Sequence, residues 1–206
     1  MCFHRDVISL FCIQVVSSAF KLLEDAGKLN DSIIFLEPSC GDGRIMDALL
    51  QSTEYKRSNV KGILGIDIDP IAIEKARAKL GQMKDTTLRC ADFLSLERGQ
   101  LFSDMPINHE TTLVAVGGPP YTPKNLPEKF VLHSILEMRA EVVVFILPKR
   151  CEKDAEAIKE RLNARSNCEN FCYSNSDLEN ITFSFEDATV QQPSILQCWY
   201  RQSRDV

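Results

Sequence analysis

From residue 32 onward, short aliphatic and β-branched runs alternate with segments whose apolar positions recur at helical spacing. Ile33-Ile34-Phe35-Leu36, Gly62 to Ile66, Thr87 to Cys90, Leu113 to Val116 and Val142 to Leu147 are predicted as strands. Between them, Arg44 to Leu50, Ile71 to Leu80, Pro127 to Met138 and Glu152 to Leu162 are predicted as helices. Pro70 opens the second of these, where its missing N–H is no loss. Two further strand-like runs, Asn180 to Phe185 and Ile195 to Tyr200, are expected to be split by a loop containing Pro193. Ahead of the alternation, Phe11, Val15, Val16, Ala19, Leu22 and Leu23 fall on one face of a helix, so residues 1–30 are expected to pack as a helical segment on the core.

Strands that alternate with helices imply an α/β chain with a mostly parallel sheet covered on both faces. Ligands of such sheets bind beyond the carboxyl ends of the strands. The sequence shows no repeat, no low-complexity tract and no linker, so a single domain over 1–206 is expected. The stretch Val7 to Phe20 is interrupted by Ser9, Gln14, Ser17 and Ser18 and falls short of the ~20 apolar residues of a spanning helix. Neither it nor the Met1-Cys-Phe-His-Arg-Asp start resembles a signal peptide, and no membrane is implied.

Composition narrows the classes. With 206 residues, 44% hydrophobic and 26% charged, the chain is ordinary globular material, able to bury roughly 70% of its unfolded surface. The net charge of −5 excludes a simple electrostatic clamp on a polyanion and leaves room only for a local basic face. Lys124, Lys129, Lys149 and Arg150, with Arg201 and Arg204, are candidates for such a rim, or ordinary solvated residues. Eight cysteines stand at 2, 12, 40, 90, 151, 168, 172 and 198 without a CxxC pair. Cys168 and Cys172, at an expected helix end, would supply only half of a four-ligand metal site, so free, mostly buried thiols in a reducing compartment (cytoplasm or nucleus) and no metal are expected. His4, His109 and His133 have no partners at a recognisable spacing and are taken as structural or surface residues.

Four strand-end segments carry chemistry. Glu37-Pro-Ser-Cys-Gly41-Asp-Gly43 follows the first strand; its two glycines permit a tight turn and close approach of a ligand to the backbone. It is neither the GxGxxG fingerprint nor a phosphate loop, because the third glycine and the Gly-Lys-Ser/Thr are missing. Gly65-Ile-Asp67-Ile-Asp69-Pro70 ends the second strand, placing a carboxylate 26 positions after Gly41, suited to a ribose diol. Asp69 is assigned mainly to capping the next helix. Cys90-Ala-Asp92-Phe93 follows the third strand; an aspartate beside an aromatic suits an exocyclic amine and an adenine face. Gly117-Gly118-Pro119-Pro120-Tyr121 ends the fourth, a stiff loop presenting an aromatic to a planar base.

In this order the four motifs resemble the Rossmann-like S-adenosylmethionine-dependent methyltransferases over roughly residues 30 to 200. Within them they look most like the amino-methyltransferases whose fourth motif is Asp/Asn-Pro-Pro-Tyr/Phe/Trp, the adenine-N6 nucleic-acid enzymes and their relatives. Val190 to Trp199 is similar to a late segment of several such enzymes. The resemblance implies a seven-stranded sheet, S-adenosylmethionine as cofactor and nucleic acid as substrate. It implies that Glu37, Pro38, Gly41 and Gly43 surround the methionine part of the cofactor, that Asp67 and Ile68 hold the ribose side, and that Asp92 and Phe93 contact the adenine. Gly118, Pro119, Pro120 and Tyr121 would form the catalytic loop, Tyr121 stacking on a flipped base.

Gly118 departs from the pattern, because the family's Asp or Asn accepts a hydrogen bond from the target amine. Three outcomes are compatible: a backbone carbonyl of Gly117 or Gly118 serves, Asn125 reaches in, or the amine is no longer methylated. Losing that bond would cost about 2–3 kcal/mol of barrier, or ~10² in rate. The rival readings are therefore a scaffold of the same fold supporting an active partner, and a methyltransferase for the glutamine amide of proteins. A separate target-recognition domain is not evident, so a partner subunit, a further region or a small structured substrate is expected.

Overall fold

The computed structural model describes residues 4–81, 83, 85–103, 110–165, 170–185 and 188–202, with backbone alone at 4–9, 179–185 and 188–190. Helix α1 (His4–Asp25) leads into β1 (Ser32–Glu37), α2 (Arg44–Gln51), the short α3 (Thr53–Arg57), β2 (Val60–Asp67), α4 (Pro70–Leu80) and β3 (Thr86–Cys90). A 3-10 turn at Phe93–Ser95 and α5 (Arg98–Leu101) precede β4 (Thr111–Gly117), α6 (Leu126–Leu136) and β5 (Val142–Pro148). A second 3-10 turn (Lys149–Asp154), α7 (Ala155–Asn163), β6 (Phe171–Phe185) and β7 (Ala188–Arg201) complete the order. Among the described residues these strands form one seven-stranded sheet in the order β3-β2-β1-β4-β5-β7-β6. Strands β1 to β5 are parallel, and β7 runs antiparallel between β5 and β6.

Period-two alternation divides the apolar residues of the central strands between two faces. Ile34, Leu36, Leu113, Ala115, Val143, Phe145 and Leu147 pack with α5, α6 and α7, while Ile33, Phe35, Val114, Val116, Val142 and Val144 pack with α1, α2 and α4. Near-continuous apolar strands are what a sheet covered on both faces requires. Phe11, Val15, Val16, Ala19 and Leu23 of α1 are buried, as the spacing predicted, while Leu22 of the same predicted face is half-buried at its margin. No helix among the described residues is long and apolar enough to cross a membrane. Cys12, Cys40, Cys151 and Cys198 are buried free thiols; Cys90 is exposed. Cys2 and Cys168 lie outside the described residues.

The C-terminal region differs from the expectation. Pro193 interrupts nothing: it lies inside β7, and β6 begins at Phe171, so Cys172 sits in a strand and not at a helix end. Pro193 is tolerated because β5 stops at the pair Pro148 and Ser194, and because the β6–β7 register shifts between Leu178 and Ile181, opposite the proline. A residue without an N–H fits where the ladder is already broken. The start of β6, Phe171 to Leu178, is too polar to announce a strand; it is recruited by β7. Trp199 is buried there, its indole N–H donating to Gln197 Oε1 at 2.8 Å, and Gln197 in turn donates to Asn175 Oδ1 at 3.0 Å.

Gly65 fixes how tightly β2 meets its neighbours. A Cβ there would lie 2.5 Å from Met46 Sδ, 2.8 Å from Leu88 Cδ2 and 3.1 Å from Cys40 Sγ. Gly65→Ala is therefore expected to lower the unfolding free energy by about 1–3 kcal/mol in urea titration, with the denaturant slope unchanged.

Candidate functional site

The order of the sheet reverses between β1 and β4: β1 leads outward to β2 and β3, β4 outward to β5. A crevice at the carboxyl ends of strands flanking such a switch is the ligand position in open α/β sheets. The predicted segments after β1 and β4 lie at the switch, and those after β2 and β3 follow along the same edge of the sheet.

Beyond β1 the chain turns through Pro38 to Gly43 into α2. Cys40 N–H donates to Ile66 O at 2.8 Å, and Gly41 N–H donates to Asp67 Oδ2 at 2.8 Å, so the loop is tied twice to the end of β2. Asp67 Oδ1 accepts from Asp69 N–H at 3.0 Å. Asp69 caps α4 by accepting from Ile71 N–H at 2.9 Å, as expected. Gly43 has φ +78°, and a Cβ on it would lie 3.1 Å from Leu80 Cδ1, so this glycine serves both the left-handed turn and the seating of α2 on α4. Asp42, which the motif analysis passed over, bridges Arg44 (2.9 Å) and Lys79 (2.9 Å). Burial raises its pKa, but those two cations outweigh burial and hold it below the usual aspartate value.

Glu37 is 2% exposed and its Oε2 has no hydrogen-bond partner. Burial pushes its carboxyl well above the ordinary glutamate pKa, against the Met46 backbone N–H, which pulls it down, and with Asp42 and Asp67 adding to the rise. On the neighbouring strand, a Cβ built on Gly117 would stand 3.7 Å from Glu37 Cγ and 3.6 Å from Pro38 Cδ, so the ends of β1 and β4 are in contact. Gly118 is exposed, and a Cβ there would meet nothing within 4 Å. Pro119 is buried, Pro120 exposed and Tyr121 half-buried. The Tyr121 carbonyl accepts from Arg150 Nη2 at 2.5 Å, and its hydroxyl lies 3.4 Å from Ser194 Oγ. Burial raises the Tyr121 hydroxyl to about 12, partly offset by Ser194. Asn125 stands exposed at the N-cap of α6 without a side-chain cap bond.

At the end of β3, Asp92 Oδ1 caps the following turn by accepting from Leu94 N–H at 3.0 Å. The expectation for Phe93 needs correction. Its ring is 2% exposed, edge-on to His133 at 4.7 Å and tilted against Phe130 at 5.3 Å, so it closes the core behind Asp92 and offers no open face. Ile68, 70% exposed next to Asp67, is the apolar surface at this rim. His133 is structural as expected, its Nε2 3.1 Å from Leu96 O and burial lowering its pKa. His109 lies outside the described residues, and of His4 only the backbone is described.

The basic rim is only partly assembled. Lys124 and Lys129 are exposed after β4, but Lys149 pairs with Asp177 and with Glu152 at 3.3 Å, and Arg150 is used on the Tyr121 carbonyl. Arg201 does not belong to the rim: its backbone N–H bonds Glu141 O at the start of β5, the opposite end of the sheet, and its guanidinium lies over the Phe171 ring at 5.4 Å. Arg204 lies outside the described residues. Asp42 lies within the first motif but only the structure gives it a role, whereas Arg150 and Ser194 belong to none of the four motifs and are revealed as loop contacts by their placement in the fold.

Solved structures share this architecture. A Pyrococcus horikoshii protein named as a candidate RNA methyltransferase is 14% identical, with a TM-score of 0.59 over 90% of this chain and 82% of that one. The 23S rRNA methyltransferase ErmE is 16% identical, with a TM-score of 0.52 over 91% and 68%. A Streptococcus mutans protein named as a candidate methyltransferase, solved in complex with SAH, is 15% identical, with a TM-score of 0.52 over 89% and 96%. The fold is that of the Rossmann-like methyltransferases, mostly parallel with helices on both faces. No protein-family model matches the chain, and no curated protein matches its sequence.

Two outcomes test the site's internal bonds. Asp67→Ala leaves the Gly41 and Asp69 amides without their acceptor and is expected to lower stability by about 1–2 kcal/mol in urea titration. Glu37 favours the folded state most when protonated, so its contribution is full below the ordinary glutamate pKa and is lost as pH rises toward the elevated folded value. Glu37→Gln lacks this loss. Its stability relative to the unmodified protein should improve steadily when thermal unfolding is followed from about pH 4 to about pH 8.

Proposed function

We propose that the chain is an S-adenosylmethionine-dependent methyltransferase acting on a nitrogen of nucleic acid, adenine N6 being the target that the Pro-Pro-Tyr loop suits best. The observation that carries the reading is the row of four motif-bearing loops at the carboxyl ends of β1 to β4, around the switch point, with the Gly41 backbone bonded to Asp67. The RNA and rRNA methyltransferase names of proteins sharing the fold support the same substrate class.

The residues fit the cofactor. The site holds an unpartnered buried carboxyl oxygen on Glu37, open space above Gly41 and an exposed apolar surface on Ile68. Each Asp67 oxygen accepts one described hydrogen bond, which leaves acceptor capacity for a ribose diol. Glu37, Pro38, Gly41 and Gly43 would line the methionine end, Asp67 and Ile68 the ribose, and Asp92 the adenine edge. When bound, the sulfonium supplies an electrophilic methyl group. What the chain adds is positioning: Pro119 and Pro120 stiffen the loop, and the Tyr121 ring is a platform for a planar base.

Gly118 favours a second reading, a methyltransferase-fold scaffold with impaired chemistry that supports a partner subunit. The two are separated by calorimetric titration of S-adenosylmethionine into the protein and into Asp67→Ala, followed by transfer of labelled methyl groups to total RNA and genomic DNA. Micromolar binding lost in Asp67→Ala, with label entering nucleic acid as N6-methyladenine, supports the enzyme; no binding to folded protein overturns it. Because nothing lies within 4 Å of a Cβ at 118, Gly118→Asn should fold normally. A gain of about 10² in transfer would identify the missing acceptor as the lesion, whereas unchanged or lower transfer would mean that glycine belongs to a working site.

A further inference from the structure

We propose that Arg150 and Ser194 are positioning residues for the loop at 118–121, and that through them this loop and the root of the β6–β7 hairpin form one mechanical unit. The inference rests on reading that loop as the substrate-facing one. Prolines at 119 and 120 fix φ within the loop, but they do not fix how it stands on the sheet. Gly118 provides no side-chain contact, and residues 122–125 are exposed. Orientation must come from tertiary bonds, and Tyr121 makes them at both of its polar ends.

Its carbonyl receives the Arg150 guanidinium at 2.5 Å, a short, charge-assisted contact. Its hydroxyl meets Ser194 Oγ at 3.4 Å, a longer and weaker contact. Ser194 Oγ also donates to Gln192 O at 2.9 Å, and at the Tyr121 contact either hydroxyl can be the donor. Burial keeps the tyrosine protonated at neutral pH and so able to donate. The hydroxyl is then an anchor, and neither acid nor base.

The anchors share one place in the fold. Ser194, 1% exposed, pairs with Pro148 as the last β5–β7 contact and with Leu178 just before the register shift; beyond it β7 pairs only with β6. Arg150 lies in the turn that follows β5, and its neighbour Lys149 reaches Asp177 of β6. Bonds from β5, β6 and β7 therefore converge where the hairpin leaves the sheet, and Tyr121 is joined to that point. A displacement of the hairpin root would be passed to the ring.

The test uses trypsin on the native protein, read as cleavage after exposed Lys124 and corrected for global stability by urea titration of each variant. Arg150→Ala is expected to speed cleavage about ten-fold, and Ser194→Ala or Tyr121→Phe a few-fold. The double variant Tyr121→Phe/Ser194→Ala should behave like either single one, and Ser194→Thr, which keeps the hydroxyl, should resemble the unmodified protein. With total RNA as substrate, Arg150→Ala should lower kcat while KM for S-adenosylmethionine stays within about two-fold. Cleavage that only tracks global stability, or additive effects of Tyr121→Phe and Ser194→Ala, would overturn the proposal. If the unmodified protein transfers no methyl group, the proposed function fails while the cleavage measurements still decide the anchoring.

Discussion

Parallel strands β1 and β2 part after their last pair, Glu37 and Gly65: β2 stays in the ladder with β3 through Asp67 and Cys90, but the ladder no longer dictates the path of the chain leaving β1. Two backbone donors take over: Cys40 N–H to the Ile66 carbonyl, and Gly41 N–H to the Asp67 carboxylate. The second converts a side chain on one loop into the scaffold of the other, so the positions of Gly41, Asp67 and the Asp69 cap follow from one another. Gly65 makes this possible, since any side chain there would displace Met46 and Cys40. Had these donors faced only water, the loop would sample many conformations, and a ligand would bear the cost of ordering it.

Three carboxyl groups meet at this edge, and each handles its charge differently. Asp42 is held ionised by Arg44 and Lys79; Asp67 receives two backbone N–H groups; Glu37, buried without a cation, is driven toward the neutral form. A cation brought beside Glu37 would favour its charged form, because Coulomb attraction strengthens as water is excluded. The chain's net charge of −5 is a poor guide to the site: the acids that matter are few and local.

Most of the architecture was legible in the alternation of short apolar runs with helical spacing, and the site edge in glycines and acids directly after strands. The legible residues are those whose role depends on local chain geometry, such as Asp69 before Pro70 or the Gly41-Asp-Gly43 turn. Those that escaped depend on distant partners. The start of β6 pairs because β7 lies beside it, and Pro193 stays in a strand because neither neighbour needs its N–H. Phe93 looked like a ligand contact because its neighbour Asp92 has a plausible one; burial of its ring is decided by Phe130 and His133, far along the chain. Arg150 looked like a phosphate ligand because charge is visible in a sequence and the carbonyl it serves is not.

On the proposed function, the loop at 118–121 separates two demands that a side chain and a scaffold would otherwise share. One is to accept a hydrogen bond from the reacting nitrogen, which Gly118 cannot do with a side chain. The other is to hold a planar target in line with the donor, which depends on where Tyr121 stands, and that is set by Arg150 and Ser194. The magnitudes are unequal. A single oriented hydrogen bond in a site is worth about 2–3 kcal/mol of barrier, whereas correct placement of two reactants contributes as much as about 7–11 kcal/mol. A loop that has lost the first and kept the second retains the larger share, which favours reading Gly118 as a tuning of the reaction over its abolition. The same reasoning makes the anchors of Tyr121 more consequential than the residue whose absence first draws notice.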